Sequence, residues 1–147
     1  MITLEQLYSF KPCPEYTEED VARHFKSVCG RRKKMKLADA LKLDIPDDHI
    51  LWLILRPEFI AERKLHEIAI WCWEEIAKPI WEKEYPNDKR PHEAIRIKKL
   101  WIEGKATDEE LAEARAASRA ASWEASRAAT WEAANKKILD HVREATK

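Results

Sequence analysis

The sequence has few glycines, which destabilise helices, and few cysteines, which can cross-link a chain. Its 147 residues include only two glycines and three cysteines. The cysteines are Cys13, Cys29 and Cys72, an odd number without Cys-x-x-Cys spacing, so a disulfide framework and a structural zinc site are both disfavoured. We therefore expect no bound metal, no cofactor and a location in the reducing cytoplasm.

Long apolar runs and an excess of one charge are also missing. Nowhere do about 18 apolar residues follow one another, and the first residues do not resemble a secretory signal, so membrane spanning and secretion are disfavoured. The 27 basic residues balance the 27 acidic residues, which argues against a polyanion-binding tail. A glycine-rich phosphate loop is absent, and His66-Glu67 lacks the second histidine of a zinc-protease motif because position 70 holds Ile70. We expect no catalytic residues.

Helix-forming residues dominate what remains, and they predict an all-α helical bundle formed by one domain. Residues 1–50 read as an N-terminal segment of short helices, and residues 51–147 read as the helical core. A central helix is expected over about 57–84, with Pro57 as its first residue, and a long alanine-rich helix is expected over about 108–144.

Short polar residues predict where several helices begin. Thr3 and Thr107 each precede a glutamine or glutamate by three residues, which is the spacing of a capping box. Thr17 precedes an aspartate by the same distance. Asp47 or Asp48 is expected to cap the next apolar helix.

The alanine-rich helix contains a direct repeat of eight residues over 118–133. Alanine covers more than a third of its circumference, and side chains this small allow another helix to approach closely. That second helix can belong to the same chain or to a second copy, so a homo-oligomer is one expectation.

Seven tryptophans are many for a chain of this length, and they fall into two groups. Four lie on apolar arcs and are expected in the core: Trp52, Trp73, Trp81 and Trp101. Trp71 projects from the polar side of the central helix, while Trp123 and Trp131 lie at one edge of the alanine face. Exposed tryptophan is enriched at binding hot spots, so these three are candidates for protein binding. Coverage by other helices is the alternative.

One segment concentrates positive charge, and it contains Arg31, Arg32, Lys33, Lys34 and Lys36. A phosphate backbone is a natural partner for such a segment, so nucleic-acid binding is one expectation. No aromatic residues are interleaved and several aspartates follow closely. A solvated loop or a contact with an acidic protein is therefore favoured over nucleic acid.

Four segments in the second part of the chain carry a family resemblance. They are Leu65–Cys72, Asp88–Pro91 with Ala94 and Ile95, Trp101–Gly104, and Thr107–Leu111. Over about residues 51–134 the chain resembles a family of alanine-rich helical proteins of bacteria and phages that are described as immunity proteins of toxin systems. The resemblance implies a helical, non-enzymatic protein that neutralises its target by binding it.

Arg90 lies in the second of these segments and is a fourth candidate for protein binding. If Arg90 instead reaches back to Glu82 or Glu84, the segment is a structural corner. The leading hypothesis is a stoichiometric inhibitor or adaptor that binds a toxin or a defence-complex subunit in the cytoplasm of a bacterial or phage-infected cell. The alternatives are a phage-encoded anti-defence protein of the anti-CRISPR type and a helical module that binds nucleic acid.

Overall fold

A computed structural model describes the backbone of residues 1–125 and 131–147 and the side chains of residues 1–117 and 134–147. Over these residues the chain is all-α, as the composition predicts, and it contains no strand beyond an isolated bridge between Ile2 and Met35. No helix in the described ranges is long and apolar enough to cross a membrane. The helices are α1 (Leu4–Ser9), α2 (Glu18–Cys29), α3 (Leu37–Ala40), α4 (Asp47–Ile54), α5 (Glu62–Cys72), a π-helical turn (Trp73–Ala77), α6 (Lys78–Glu84), α7 (Arg90–Ile102), α8 (Asp108–Ala125) and α9 (Trp131–Ala145).

The helix starts predicted from threonine are confirmed. The hydroxyl oxygens of Thr3, Thr17 and Thr107 each accept the N–H three residues further on, over 3.1–3.2 Å. The carboxylate or amide of that third residue accepts the threonine N–H in return. At α4 the expected aspartate cap is wrong, because Asp47 and Asp48 lie inside the first turn and a proline precedes the helix. There the two carboxylates instead lie where the helix dipole favours negative charge.

The central helix begins later than expected. Pro57 was predicted as its first residue, whereas α5 starts at Glu62. Pro57 lies instead in a turn closed by the N–H of Phe59, which donates to the Arg56 carbonyl over 3.1 Å. Proline suits the second position of such a turn for the same reason that it suits the start of a helix, its fixed φ.

A π-helical turn interrupts the central helix just before Pro79. In this turn the Lys78 N–H donates to the carbonyl of Trp73, five residues earlier. Proline has no N–H and its ring crowds the carbonyl four residues before it. A bend was predicted at Pro79, and the structure has this wider π-helical turn just before it.

The chain divides into two compact units. The terminal unit comprises residues 1–65 and 135–147, so both ends of the chain contribute to it. Its largest fully buried side chains are Ile2, Met35, Ile54, Leu139 and Val142. Within it, α1 packs on α2, α2 on α3 and α3 on α4. The expectation of a single domain stays a prediction.

The middle unit comprises residues 66–134, and α7 packs against α8 within it. The Trp101 indole N–H donates to an Asp108 carboxylate oxygen over 2.7 Å, which links the end of one helix to the start of the next. The side chains of the eight-residue repeat and the backbone over 126–130 lie outside the described residues, so a continuous helix over 108–144 stays a prediction.

Candidate functional site

A cavity of about 60 Å³ opens among α1, α2 and α4 in the terminal unit. At about 10–15 Å³ for each water-sized group, it has room for about four to six of them. Its walls are largely apolar and include Leu7, Val21, Phe25, Leu43, Trp52 and Leu53. Such a volume suits one aliphatic side chain better than a large ligand.

Trp52 lies at this cavity with 36% of its surface exposed, so its expected place in the core is wrong. The other apolar residues of α4 are buried: Ile50, Leu51, Leu53 and Ile54. At roughly 100° per residue, these four occupy one side of the helix and Trp52 faces away from their centre. The guanidinium of Arg56 stacks on the Trp52 ring at 4.6 Å and on the Phe10 ring at 4.3 Å. This stacking holds the indole in place.

A cluster of polar side chains lines another part of the same cavity, around His49. Its Nδ1 lies 2.7 Å from the Tyr16 hydroxyl oxygen. Its Nε2 lies 3.2 Å from Glu15 Oε1, 3.7 Å from Asp48 Oδ2 and 4.0 Å from Cys13 Sγ. The histidine is thus oriented by Tyr16 on one side and meets a thiol and two carboxylates on the other.

Tyr16 stays neutral over the physiological range. Burial raises the pKa of its hydroxyl, and the charge of Glu15 raises that pKa further. The edge of its ring contacts both His24 and His49, with centroid distances of 5.9 and 5.4 Å. These contacts restrict where the hydroxyl can point, so it remains aimed at Nδ1 of His49.

The connector between α1 and α2 brings Cys13, Glu15 and Tyr16 to α4. It contains a turn in which the Tyr16 N–H donates to the Cys13 carbonyl over 3.0 Å. Pro14 occupies the second position of this turn, which its fixed φ suits. Cys13 and His49 are 36 residues apart in the sequence. This cluster is not predictable from the sequence pattern, because no local spacing connects the two segments. A Cys-Pro-Glu-Tyr connector beside a histidine-bearing helix was the available signal.

Hydrogen bonds and burial fix part of the basic segment in place. The Arg32 guanidinium donates to both Asp39 oxygens over 2.7 Å and to the Val28 carbonyl over 3.0 Å. Met35 is fully buried, and its backbone pairs with Ile2. The remaining cations of the segment are exposed and form no ion pair among the described residues: Arg31, Lys33, Lys34 and Lys36.

The ion pair between Arg32 and Asp39 changes the pKa of the Asp39 carboxyl. Hydrogen bonds from Arg32 lower the pKa of the Asp39 carboxyl to about 2, and the Lys36 N–H also lowers it by donating to the same carboxylate. Asp39 therefore stays charged at every physiological pH. Arg32 is the member of the basic segment that is least free to contact a partner.

Arg90 does not reach back to Glu82 or Glu84 as expected. Its side chain pairs with Asp88, whose Oδ2 lies 2.6 Å from Nη2, and its backbone N–H also donates to Asp88 over 3.0 Å. The Trp81 indole N–H donates to the Asp88 carbonyl over 2.9 Å. The segment therefore forms a structural corner, as one interpretation of the sequence held, but with a different partner.

The other predicted tryptophan positions have mixed outcomes. Trp81 is buried, as expected, with 4% of its surface exposed. Trp73 and Trp101 are half-buried rather than fully in the core, and Trp71 is half-buried as well. The side chains of Trp123 and Trp131 lie outside the described residues, so their candidacy stays a prediction.

Two titratable groups of the middle unit occupy structural positions. His66 is buried, stacks at a tilt on Trp101 with ring centroids 4.6 Å apart, and has Arg115 Nη2 3.3 Å from its Nδ1. Burial raises the pKa of the Cys72 thiol to about 11. A thiol with this pKa carries little thiolate at neutral pH, so Cys72 is a poor nucleophile.

No family model matches this chain, and neither the curated proteins nor the solved structures include a match to it. The resemblance to immunity proteins therefore stays a prediction.

Proposed function

We propose that this protein acts without catalysis, by binding another protein stoichiometrically, and that the terminal-unit cavity receives an apolar side chain of that partner. The observation that carries the proposal is the exposed Trp52 beside an open apolar cavity. Tryptophan next to a preformed pocket is the usual composition of a binding hot spot. The volume of about 60 Å³ fits an aliphatic anchor.

The charges near the cavity indicate what flanks that anchor. Glu15 and Asp48 have side chains that are 63% and 56% exposed, and both lie beside His49. Asp20 also lies near Tyr16, but Arg23 pairs with it. Two exposed carboxylates thus remain on this side of the cavity. They favour a partner segment with lysine or arginine next to its apolar anchor.

A toxin, or a subunit of a host defence complex, is the partner class that the family resemblance suggests. Inhibition by binding requires a complementary surface and no reactive group. The apolar walls and the unreactive Cys72 thiol agree with that requirement. The terminal unit, rather than the four segments that carry the resemblance, supplies the proposed contact.

Trp52→Ala tests the docking surface. The tagged full-length chain is used to capture a partner from cells that carry its gene, and the purified partner is then titrated against each variant. We expect Trp52→Ala to weaken binding by roughly 30-fold or more, since hot-spot truncation costs about 2 kcal/mol or more. Binding should also weaken as salt is raised, because the carboxylates contribute to it.

Ile80→Ala is the matched control, because Ile80 is a comparably exposed apolar residue of the middle unit, at 42%. Its affinity for the partner should equal that of the wild type. Equal affinities for Trp52→Ala and Ile80→Ala, with both chains folded, would contradict docking at the cavity. A partner that is not a protein would contradict the proposed function as a whole.

Nucleic-acid binding is a second candidate. It is favoured by four exposed cations that form no ion pair with any residue the structure describes: Arg31, Lys33, Lys34 and Lys36. Replacing Lys33 and Lys34 with glutamine should then lower the slope of log affinity against log salt by about two, about one for each lost phosphate contact. Lys42→Gln, an exposed lysine outside the segment, is the control. Binding that does not respond to salt would exclude this candidate.

A further inference from the structure

The cluster around His49 has the composition of a site for a transition-metal ion. Cys13 supplies a sulfur, Glu15 a carboxylate oxygen and His49 an imidazole nitrogen, and these three atoms lie within 4.8 Å of one another. Sulfur, nitrogen and oxygen donors together suit Zn²⁺, whereas Mg²⁺ and Ca²⁺ prefer oxygen donors alone.

The distances between the donor atoms fit tetrahedral coordination. Bonds of about 2.3 Å to sulfur and about 2.1 Å to nitrogen and oxygen place tetrahedral ligand atoms about 3.4–3.6 Å apart. The observed distances from His49 Nε2 are 3.2 Å to Glu15 Oε1 and 4.0 Å to Cys13 Sγ. Shifts of about half an ångström in flexible side chains therefore bring these two pairs to tetrahedral spacing, and the third pair, Cys13 Sγ and a carboxylate oxygen of Glu15, lies within 4.8 Å.

Tyr16 supplies the supporting contact that metal-binding histidines usually have. Its hydroxyl oxygen lies 2.7 Å from Nδ1 of His49, the ring nitrogen that faces away from Cys13 and Glu15. When Nδ1–H donates to this oxygen, the tautomer leaves a lone pair on Nε2 for a metal. The histidine is held in a coordinating orientation by a residue that is not itself a ligand.

We infer that Cys13, Glu15 and His49 form a Zn²⁺ site that joins the connector after α1 to α4. A fourth position remains for water or for Asp48, whose Oδ2 lies 3.7 Å from Nε2. The site goes beyond the proposed partner binding and does not depend on it. It differs from the sequence expectation of no metal because residues distant in the sequence meet only in the fold.

The other cysteines do not compete for the ion. Cys29 is buried, and burial raises the pKa of its thiol. Burial also raises the pKa of the Cys72 thiol to about 11. Metal binding requires the thiolate, so a thiolate–metal signal from this protein is assigned to Cys13.

Cobalt titration tests the site on the full-length chain. Co²⁺ replaces Zn²⁺ and reports a bound thiolate through a sulfur-to-metal charge-transfer band. We expect the metal-free protein to bind one Co²⁺ with this band and Zn²⁺ to displace it, while Mg²⁺ has no effect. Cys13→Ser should abolish the band, and His49→Gln should weaken binding at least tenfold. Tyr16→Phe should weaken it by roughly 10- to 100-fold, the usual effect of losing a supporting hydrogen bond.

Two matched variants control for disturbance of the fold. Cys72→Ser removes a thiol of the middle unit, and His24→Gln removes a histidine that touches Tyr16 but is not a ligand; both should retain the band. A band that persists in Cys13→Ser, or no band in the wild type, would overturn the site. If a variant does not fold, a measurement on the wild-type protein still tests the site. Zn²⁺ should slow alkylation of Cys13 measured by mass spectrometry, and an unchanged rate contradicts the proposal.

The outcomes separate this site from partner docking. Loss of the cobalt band in Cys13→Ser, with the band intact in Cys72→Ser, supports the metal site whatever the partner affinity of these variants. Loss of partner affinity in Trp52→Ala, with the cobalt band intact, supports docking alone.

Discussion

Asp39 holds the start of α3 and the basic segment together through one carboxylate. It accepts two hydrogen bonds from Arg32 and a third, over 2.9 Å, from the Lys36 N–H. The Asp39 side chain is 13% exposed, whereas that of Arg32 is 47% exposed. Solvent screening on the arginine side limits the net gain, and we assign the whole arrangement about 1 kcal/mol.

Asp39→Asn should therefore lower the free energy of unfolding by about 1 kcal/mol at pH 7. The Asp39 pKa is lowered to about 2, so its contribution is present above the usual carboxyl pKa near 3.8 and is lost as the pH falls toward 2. The difference between wild type and variant should shrink over that range. Urea unfolding monitored by circular dichroism at several pH values measures it.

Asp44→Asn is the control for Asp39→Asn. Asp44 is exposed and forms no ion pair in the described part of the chain, so its replacement should change stability by less than about 0.5 kcal/mol. A difference for Asp39→Asn that stays constant down to pH 2 would contradict the assigned ion pair.

The candidate site shows at the residue scale where sequence reasoning fails. Trp52 was assigned to the core because it lies in a continuous apolar run, and periodicity alone does not identify the exposed residue of a short apolar helix. Cys13 and His49 carry no local motif at all. Their proximity depends on the path of a connector, which no helical period describes.

The helices themselves were more predictable, and the reason is local chemistry. A capping box depends on residues three positions apart, so Thr3, Thr17 and Thr107 identify their helices from the sequence alone. The all-α class follows from composition in the same way. Helix starts without such a cap were predicted less well.

Among the residues that shape helix ends, proline has the effect that is least predictable from the sequence. The fixed φ of Pro57 suits both the first residue of a helix and the second residue of a turn, and in the structure Pro57 lies in a turn. Pro79 was expected to bend the central helix, and a π-helical turn precedes it. In both places the fixed φ of proline predicts a change in the backbone. Whether that change is a helix start, a turn or a π-helical turn depends on how the neighbouring residues are hydrogen-bonded.

At the scale of the whole molecule, the terminal unit depends on residues from both ends of the chain. Leu139 and Val142 of α9 are fully buried, and residues 135–147 belong to the same unit as α1 to α4. The sequence pattern indicates a boundary near residue 50 and does not predict this association. No short-range pattern connects two segments so far apart.

Leu139→Ala should therefore destabilise the terminal unit as a whole. Removing a fully buried leucine costs about 2–5 kcal/mol, and backbone amides of α2 and α4 should exchange with solvent faster. Hydrogen exchange followed by mass spectrometry measures this effect peptide by peptide.

Glu144→Ala provides the comparison on the same helix, because Glu144 is exposed. It should leave exchange in α2 and α4 unchanged. Faster exchange confined to residues 135–147 in Leu139→Ala would contradict the dependence of the terminal unit on α9.

The contribution of α9 to the terminal unit means that the cavity beside Trp52 depends on segments synthesised at different times. Residues 1–65 are made before Leu139 and Val142, which are fully buried in the same unit. A chain cut after residue 134 carries every residue that lines the cavity and lacks both of these buried side chains. We therefore expect the walls of the cavity to become ordered only after residues 135–147 have packed onto the terminal unit.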